Sequence, residues 1–399
     1  MSTIVTLAAP GTAAWEARLD DVLTAIAARA AEHDRDGSFP HEAFTALHEV
    51  GVLGLTVPTA YGGAGAGLTT AAAILERVAA ADASVGLVLL WQLAFHAELG
   101  RGDGDWPAAL RERVHRSAVE EGALINALRV EPDLGTPARG GVPATTAVRT
   151  DDGWSLSGHK IYCTGIPALR WLLVWAATED EDVRTGNFLV ERGTPGYRVE
   201  ETWDHIGLRA SGTHDTIFED VAVPLDHAVD VRRPQEWRDL DRGVSLAWAT
   251  TLMAATYTGV AVAARDWLAR YLNERVPTNL GAPLASLPHV QSAVGEIEAL
   301  LDVSHTLIRD VAAGVDAGDA AAAGRGPVAK FVATENAITV ADIGLRLTGN
   351  PGLTRANPLE RHHRDALTGR VHTPQRDMVL GALGRSALSG SATAVKVLG

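Results

Sequence analysis

The sequence predicts an α+β chain in three successive parts: a helical part over 1–124, a β part over 125–235 and a second helical part over 236–399. Three observations carry this. Up to about residue 121, apolar residues recur three or four apart, the spacing of helix faces packed on a core. Near Ala127 the period changes to two, in short apolar runs punctuated by Asp-Gly and Thr-Pro-Gly, the pattern of strands and tight turns. From about Arg242 the helical period returns and holds to the end in Ala-rich stretches without strand signals. Such helix–sheet–helix order does not build the alternating βαβ units of a dinucleotide fold.

The elements follow in order. Trp15, Leu19, Val22, Leu23, Ile26 and Ala30 form one apolar stripe, predicting a helix over Trp15–Glu32. After Gly-Ser-Phe-Pro, the stretch beginning His41-Glu42-Ala43 gives a second, short helix, and AYGGAGAGLTT a turn. Those glycines do not fit G-x-G-x-x-G, because Leu68 and Thr70 fall where the last glycine should be. From Thr69 the chain is apolar on all sides, predicting two buried helices with a break near Asp82-Ala83-Ser84, and a further helix runs from about Pro107 to Glu121. In the β part, ATTAVRT and WSLSGHKIYCTG flank Asp152-Gly153 as a hairpin, followed by WLLVWAAT, NFLVER, GYRVEETW and DTIFEDVAVP. Four long helices are then predicted over 242–273, 287–314, 318–348 and 376–397.

Composition narrows the function. At 399 residues the chain exceeds a single core, and 46% apolar with 21% charged residues is ordinary for a globular protein. No apolar run reaches the roughly 18 residues of a membrane span. The lone Cys163 excludes an intrachain disulfide and a cysteine-based zinc cluster. With no basic n-region and apolar h-region in MSTIVTLAAPGTAAWEARL, a reducing cytoplasmic location is expected. A net charge of −14, from 35 basic and 49 acidic residues, argues against a nucleic-acid surface.

The chemistry concentrates in RDALTGRVHTPQ, Arg364 to Gln375, which follows the Gly-rich GNPGL and the segment NPLERHH. Its His-Arg-Asp is not a kinase loop, because the required Asn position is Arg370. His362 and His363 would point to different sides of a helix, so charge pairing near a helix end fits them better than metal ligation. His372 titrates near neutrality and can donate or accept a proton there, whereas the Thr373 hydroxyl cannot.

These landmarks, with GLTVP, YGG and ADAS near the start, Val130-Glu131-Pro132, Gly158-x-Lys160, Thr164-Gly165, Thr194-Pro195-Gly196 and Gly207-Leu208-Arg209, resemble the acyl-CoA dehydrogenase superfamily over about residues 12 to 397. The resemblance implies an N-terminal helical domain, a middle β-barrel domain and a C-terminal four-helix bundle, binding FAD or FMN in a homo-oligomer, a tetramer or dimer. Tyr162 and Thr164 take the places that meet the flavin ring, Val130 that near the pyrimidine and Thr136 that near the pyrophosphate. Arg275, Arg346, Gly349, Asn350 and Gln375 complete the implied cofactor set, although Asn279-Leu280-Gly281 and Arg346-Leu347-Thr348-Gly349-Asn350 depart from the motifs for the AMP half. Trp91, Gln92, His96 and Glu131 fall at the substrate cavity.

The resemblance also exposes a gap. The family's Glu-Gly-Thr, whose glutamate removes the α-proton of an acyl thioester, reads Thr373-Pro374-Gln375. The alternative glutamate position falls near Ala249, and no acidic residue occurs between Asp241 and Asp266. The Asp and Arg that serve the thioester fall near Ala247 and Thr250. The pattern is similar to the base-lacking, flavin-dependent monooxygenase branch, which includes dibenzothiophene monooxygenases and amino-sugar nitrososynthases. Reduced flavin from a separate reductase, a small organic substrate, and His372, Thr373 and Thr164 as catalytic groups are then expected. Two alternatives stay open: a thioester dehydrogenase with Glu131 or His372 as base, and a flavin-binding protein without turnover.

Overall fold

A computed structural model describes residues 11–134, 141–240 and 242–389. The N-terminal helices are α1 (Ala13–Asp36), α2 (His41–Glu49), α3 (Leu68–Ala81), α4 (Ala83–Arg101) and α5 (Ala108–Glu120). Trp15, almost fully buried, donates its indole N–H to the Val50 carbonyl at 2.8 Å and fastens α1 to the end of α2. The predicted break between the two apolar helices is an N-cap: Asp82 Oδ1 accepts from Ser84 N (2.7 Å) and Val85 N (3.2 Å), satisfying amides that α4 cannot pair internally.

Eight strands follow: β1 (Leu124–Leu128), β2 (Thr146–Arg149), β3 (Gly153–Cys163), β4 (Leu169–Thr178), β5 (Thr185–Glu191), β6 (Tyr197–Glu200), β7 (His214–Pro224) and β8 (Ala228–Arg232). A hairpin forms with β2 antiparallel to β3, but its turn lies one residue earlier than expected: Thr150 N donates to the Gly153 carbonyl, Asp151-Asp152 make the turn, and Gly153 opens β3 without a left-handed φ. The expected barrel does not close. The sheet runs β6-β7-β3-β2-β4-β5-β8, with β1 parallel to β4, and leaves β6 and β8 unpaired at its ends. Three of the four β6 residues are exposed, so β6 is a solvent-facing edge strand.

After a short α6 (Glu236–Asp239), the C-terminal part is built on α7 (Gly243–Glu274), which packs against α3, α4, α8 (Pro288–Asp316) and α10 (Gly326–Thr348). A Cβ at Gly259 would lie 2.3 Å from the Glu76 carbonyl oxygen, so glycine lets α7 cross α3 at close range. The third long helix is split, with α9 (Ala320–Ala323) preceding α10. Two helices, α11 (Asn350–Leu353) and α12 (Leu359–Thr368), precede α13 (Arg376–Ser389), so the four expected long helices are not the whole bundle. The expectation that no segment reaches membrane-crossing length needs correcting. Helices α4 and α7 pass that test of length and hydropathy, and both are mostly buried inside the fold.

Candidate active site

On the β side, β1 runs out to Val130, whose carbonyl accepts from Ile161 N at 2.9 Å. The next residue, Tyr162, adopts a left-handed φ of 58° and leaves 52% of its surface exposed. That conformation is costly for a tyrosine and is retained where function fixes it. Thr164 is buried beneath it. Thr213 Oγ1 donates to Thr164 Oγ1 at 3.1 Å, Ser211 and Thr213 hydroxyls lie 2.7 Å apart, and Asn126 Nδ2 donates to the Thr164 carbonyl at 2.9 Å. Because Thr164 receives its hydroxyl contact, its own O–H stays available as a donor. Tyr162 meets Trp203 and His205 edge-on, with centroids at 6.3 and 5.9 Å, and the latter two stack at 3.6 Å. Together they form an open aromatic surface beside a buried hydroxyl.

On the helical side, α12 continues into the loop with His372. Its Nδ1 lies 2.8 Å from the Tyr257 hydroxyl, on α7, which is 3.3 Å from Thr368 Oγ1. Lys330, on α10 and 2% exposed, holds this loop by donating to the carbonyls of Gly369 (2.9 Å), His372 (2.7 Å) and Pro374 (3.1 Å). All three ammonium hydrogens are thereby used. Burial pushes the His372 pKa down to about 4, with the Lys330 charge adding, so the ring is neutral at pH 7. Burial lowers Lys330 itself to about 8.

The two sides are joined through α12. Asp365 Oδ1 accepts from Leu208 N at 2.7 Å, where Leu208 has φ 52°, and Ser211 N donates to the Leu208 carbonyl. Arg364 clamps Asp34 Oδ1 and Oδ2 at 2.9 and 2.7 Å and also pairs with Glu360. The helix that leads to His372 is thus anchored to the loop that leads to Thr164.

Other predicted residues lie elsewhere. Gln92 is fully buried and fully paired. Its Nε2 donates to the Leu53 and Ala123 carbonyls, and its Oε1 accepts from Ile125 N at 2.9 Å. It fastens α4 to β1 and has no polar atom left for a substrate. Gln92→Leu is therefore expected to lower stability by about 2–3 kcal/mol, because Ile125 N loses its buried acceptor. Thermal unfolding and KM measured together check this, and a raised KM at unchanged stability would restore the pocket assignment. His96 Nδ1 faces His115 Nδ1 at 3.0 Å in the interior of the helical domain. Trp91 is partly buried and packs on Phe95. Glu131 is a buried structural anion rather than an available base. Lys160 Nζ lies 2.6 Å from its Oε1, Thr145 donates to the same oxygen, and Ala144 N donates to Oε2. These partners hold its pKa below the usual carboxylate range.

Arg275, Arg346, Gly349 and Asn350 are exposed, and Gln375 Nε2 donates to the Val371 carbonyl. Thr373 is partly buried beside His372. Thr136 lies outside the described residues. His363 pairs with Asp342 at 2.8 Å whereas His362 is buried, in line with the charge-pairing expectation for the first alone. Among the described residues no cluster of metal-binding groups occurs.

Burial holds His96, His115, His362 and His372 neutral, with pKa values near 3, 4, 3 and 4. The unfolded chain takes up these protons near pH 6.5 and the folded chain only well below, so stability falls as pH drops through that window. Asp365, pushed up to about 7 by burial, opposes the trend with a single proton. The midpoint of thermal unfolding is expected to fall between about pH 6.5 and 4.5. A flat or rising profile would show that these rings become charged inside the fold.

Residues 20–100 match the acyl-CoA dehydrogenase N-terminal domain, 129–221 the middle domain and 243–386 the C-terminal domain. The chain belongs to the acyl-CoA dehydrogenase family. It is 33% identical over 381 residues to "Putative acyl-CoA dehydrogenase YdbM" of Bacillus subtilis (strain 168), covering 94% of this chain and 96% of the relative. L-evernosamine nitrososynthase of Micromonospora sp. is 32% identical, with 89% and 85% covered. The structure of KijD3 in complex with FMN and dTDP-3-amino-2,3,6-trideoxy-4-keto-3-methyl-D-glucose aligns with a TM-score of 0.81 at 29% identity, over 97% of this chain and 96% of that one. Relatives of this acyl-CoA dehydrogenase-family chain are thus oxidoreductases of more than one kind.

Reading the acyl-CoA dehydrogenase pattern alone misses Tyr257, Lys330, Trp203 and His205. One signal was present: the chain has only three lysines, and Lys330 lies inside the apolar stretch GPVAKFVA.

Proposed function

We propose that the protein is a flavin-dependent monooxygenase of the acyl-CoA dehydrogenase family that lacks the catalytic glutamate and uses reduced flavin and oxygen on a small organic substrate. The observation that carries this reading is the loop at Thr373. A neutral imidazole and a hydroxyl stand where proton abstraction needs a carboxylate, and the charge behind them is the Lys330 ammonium. On α7, Thr250 Oγ1 donates to the Leu246 carbonyl at 2.7 Å and Ala247 is buried, so neither offers an ionic clamp for a thioester.

The residues fit a flavin. The exposed Tyr162 ring with its Trp203–His205 neighbours suits a planar isoalloxazine, and the free Thr164 O–H suits a ring nitrogen. Arg346, Gly349 and Asn350 carry few of the family's adenosine contacts, which fits FMN as readily as FAD and a loosely held cofactor supplied reduced by a separate reductase. Bound there, a flavin supplies the two-electron chemistry with oxygen.

The chain's own residues do the rest. With the Tyr257 hydroxyl taken as the donor to His372 Nδ1, 2.8 Å away, the ring hydrogen lies on Nε2, as a donor toward the flavin. Lys330 fixes the loop that carries it. The apolar α4 and α7 surroundings exclude water, which strengthens both donors. A homo-oligomer, tetramer or dimer, in which Arg275 reaches a neighbouring subunit's cofactor, follows from the same reading.

The flavin-loaded protein, mixed anaerobically with a panel of acyl-CoA thioesters, is expected to keep its oxidised flavin spectrum. Bleaching by any thioester would establish the dehydrogenase alternative instead.

A further inference from the structure

Arg129, immediately before Val130, and Arg242, immediately before α7, are held in an unusual way. The Arg129 guanidinium lies 5.3 Å from the Trp175 ring centroid and that of Arg242 lies 5.8 Å from Trp237. The two indoles meet edge-on at 4.8 Å, and Trp237 Nε1 is anchored on the Thr185 carbonyl at 3.1 Å. An indole face binds a cation without using any of its N–H donors. Among the described residues neither arginine has a carboxylate within ion-pair distance or a side-chain hydrogen-bond acceptor. Arg232, over the same Trp237, differs in this respect, because Asp105 (2.6 Å) and Asp230 (3.1 Å) neutralise it.

Burial and the neighbouring Arg242 charge lower the Arg129 pKa to about 10 although the Glu98 and Asp230 carboxylates act against them from beyond ion-pair distance, so an anion joining the two guanidiniums would be favoured. A third guanidinium borders the place. Arg101 Nη2 donates to Ser245 Oγ at 2.7 Å, three residues beyond Arg242; its Nε pairs with Asp103 at 3.3 Å, and its buried Nη1 has no partner among the described residues. Planar forks of this kind bind carboxylate or phosphate through paired N–H donors.

We propose that Arg129 and Arg242 form an anion-binding site that captures a carboxylate or phosphate group of the substrate. Along the chain Arg129 adjoins Val130, whose carbonyl accepts from Ile161 N, while the Arg129 side chain turns to the other face of the strand, over Trp175. That the anion belongs to the oxidised substrate rests on the function proposed above, whereas the anion site stands without it.

Calorimetric titration of the full chain at low salt with inorganic phosphate, pyrophosphate and acetate tests the site. At least one of these is expected to bind, with phosphate or pyrophosphate marking a phosphorylated substrate and acetate a carboxylic acid. Arg242→Gln and Arg129→Lys should each weaken that binding about tenfold or more, since the first removes a fork and the second keeps charge but loses the planar geometry. Arg242 is exposed, so its variant decides the matter even if Arg129→Lys folds poorly. The site is overturned if none of the three anions binds, or if both variants bind like the parent. It is equally overturned if both leave anion affinity unchanged and instead reduce the oligomeric mass, which would assign the arginines to a subunit contact. A protein that binds phosphate through these arginines yet is bleached by a thioester would refute the monooxygenase reading and leave the site standing.

Discussion

His372→Ala is expected to leave flavin affinity nearly intact while the reduced-flavin complex loses oxygen as hydrogen peroxide about 10²–10³ times faster. That is the usual effect of removing one donor from an oxyanion-type site. The expectation rests on geometry: Tyr257 occupies Nδ1 and leaves Nε2 as the functional end of the ring. His372→Gln keeps a donor and should fall between. Tyr257→Phe removes the partner that fixes the tautomer and should give a smaller loss of the same kind. Rapid mixing of the reduced complex with oxygenated buffer, with peroxide assayed in parallel, checks the series. If flavin affinity collapses while peroxide release per bound flavin is unchanged, His372 is a structural residue.

Lys330→Met should be the most damaging change in the helical half. Three loop carbonyls, two of them buried, would lose their donor together, and each unsatisfied buried polar group costs about 1–3 kcal/mol. A loss of at least about 4 kcal/mol is expected, read from chemical unfolding. Lys330→Arg should recover little, because a planar fork cannot converge on three carbonyls as an ammonium does. A Lys330→Met protein of parental stability would mean that the loop is held by other contacts.

Much of the frame was legible because local chemistry decides it. Asp82 could be read as a break because an acidic side chain between two apolar stretches has few roles other than capping, and the β2–β3 hairpin because turn residues separate two alternating stretches, although the turn itself is Asp151-Asp152 and not Asp152-Gly153. The site was legible only where a motif spans it. Thr373 and His372 stand out against a family pattern, but Tyr257 is 115 residues from its partner His372, and nothing local distinguishes it from core. Gln92 and Glu131 were placed at a cavity by position along the chain. Their hydrogen bonds go instead to backbone amides and carbonyls and to Lys160, partners that only tertiary packing brings within reach. Barrel closure failed for a related reason: strand patterns were visible, but whether β6 meets β8 depends on which face each leaves uncovered.

The central claim, that this family member reacts its reduced flavin with oxygen instead of dehydrogenating a thioester, is tested most directly by stopped-flow oxidation of the reduced-flavin complex. The mechanism predicts two resolved phases, with the oxidised-flavin spectrum appearing only in the second. A single phase indistinguishable from free reduced flavin would contradict it.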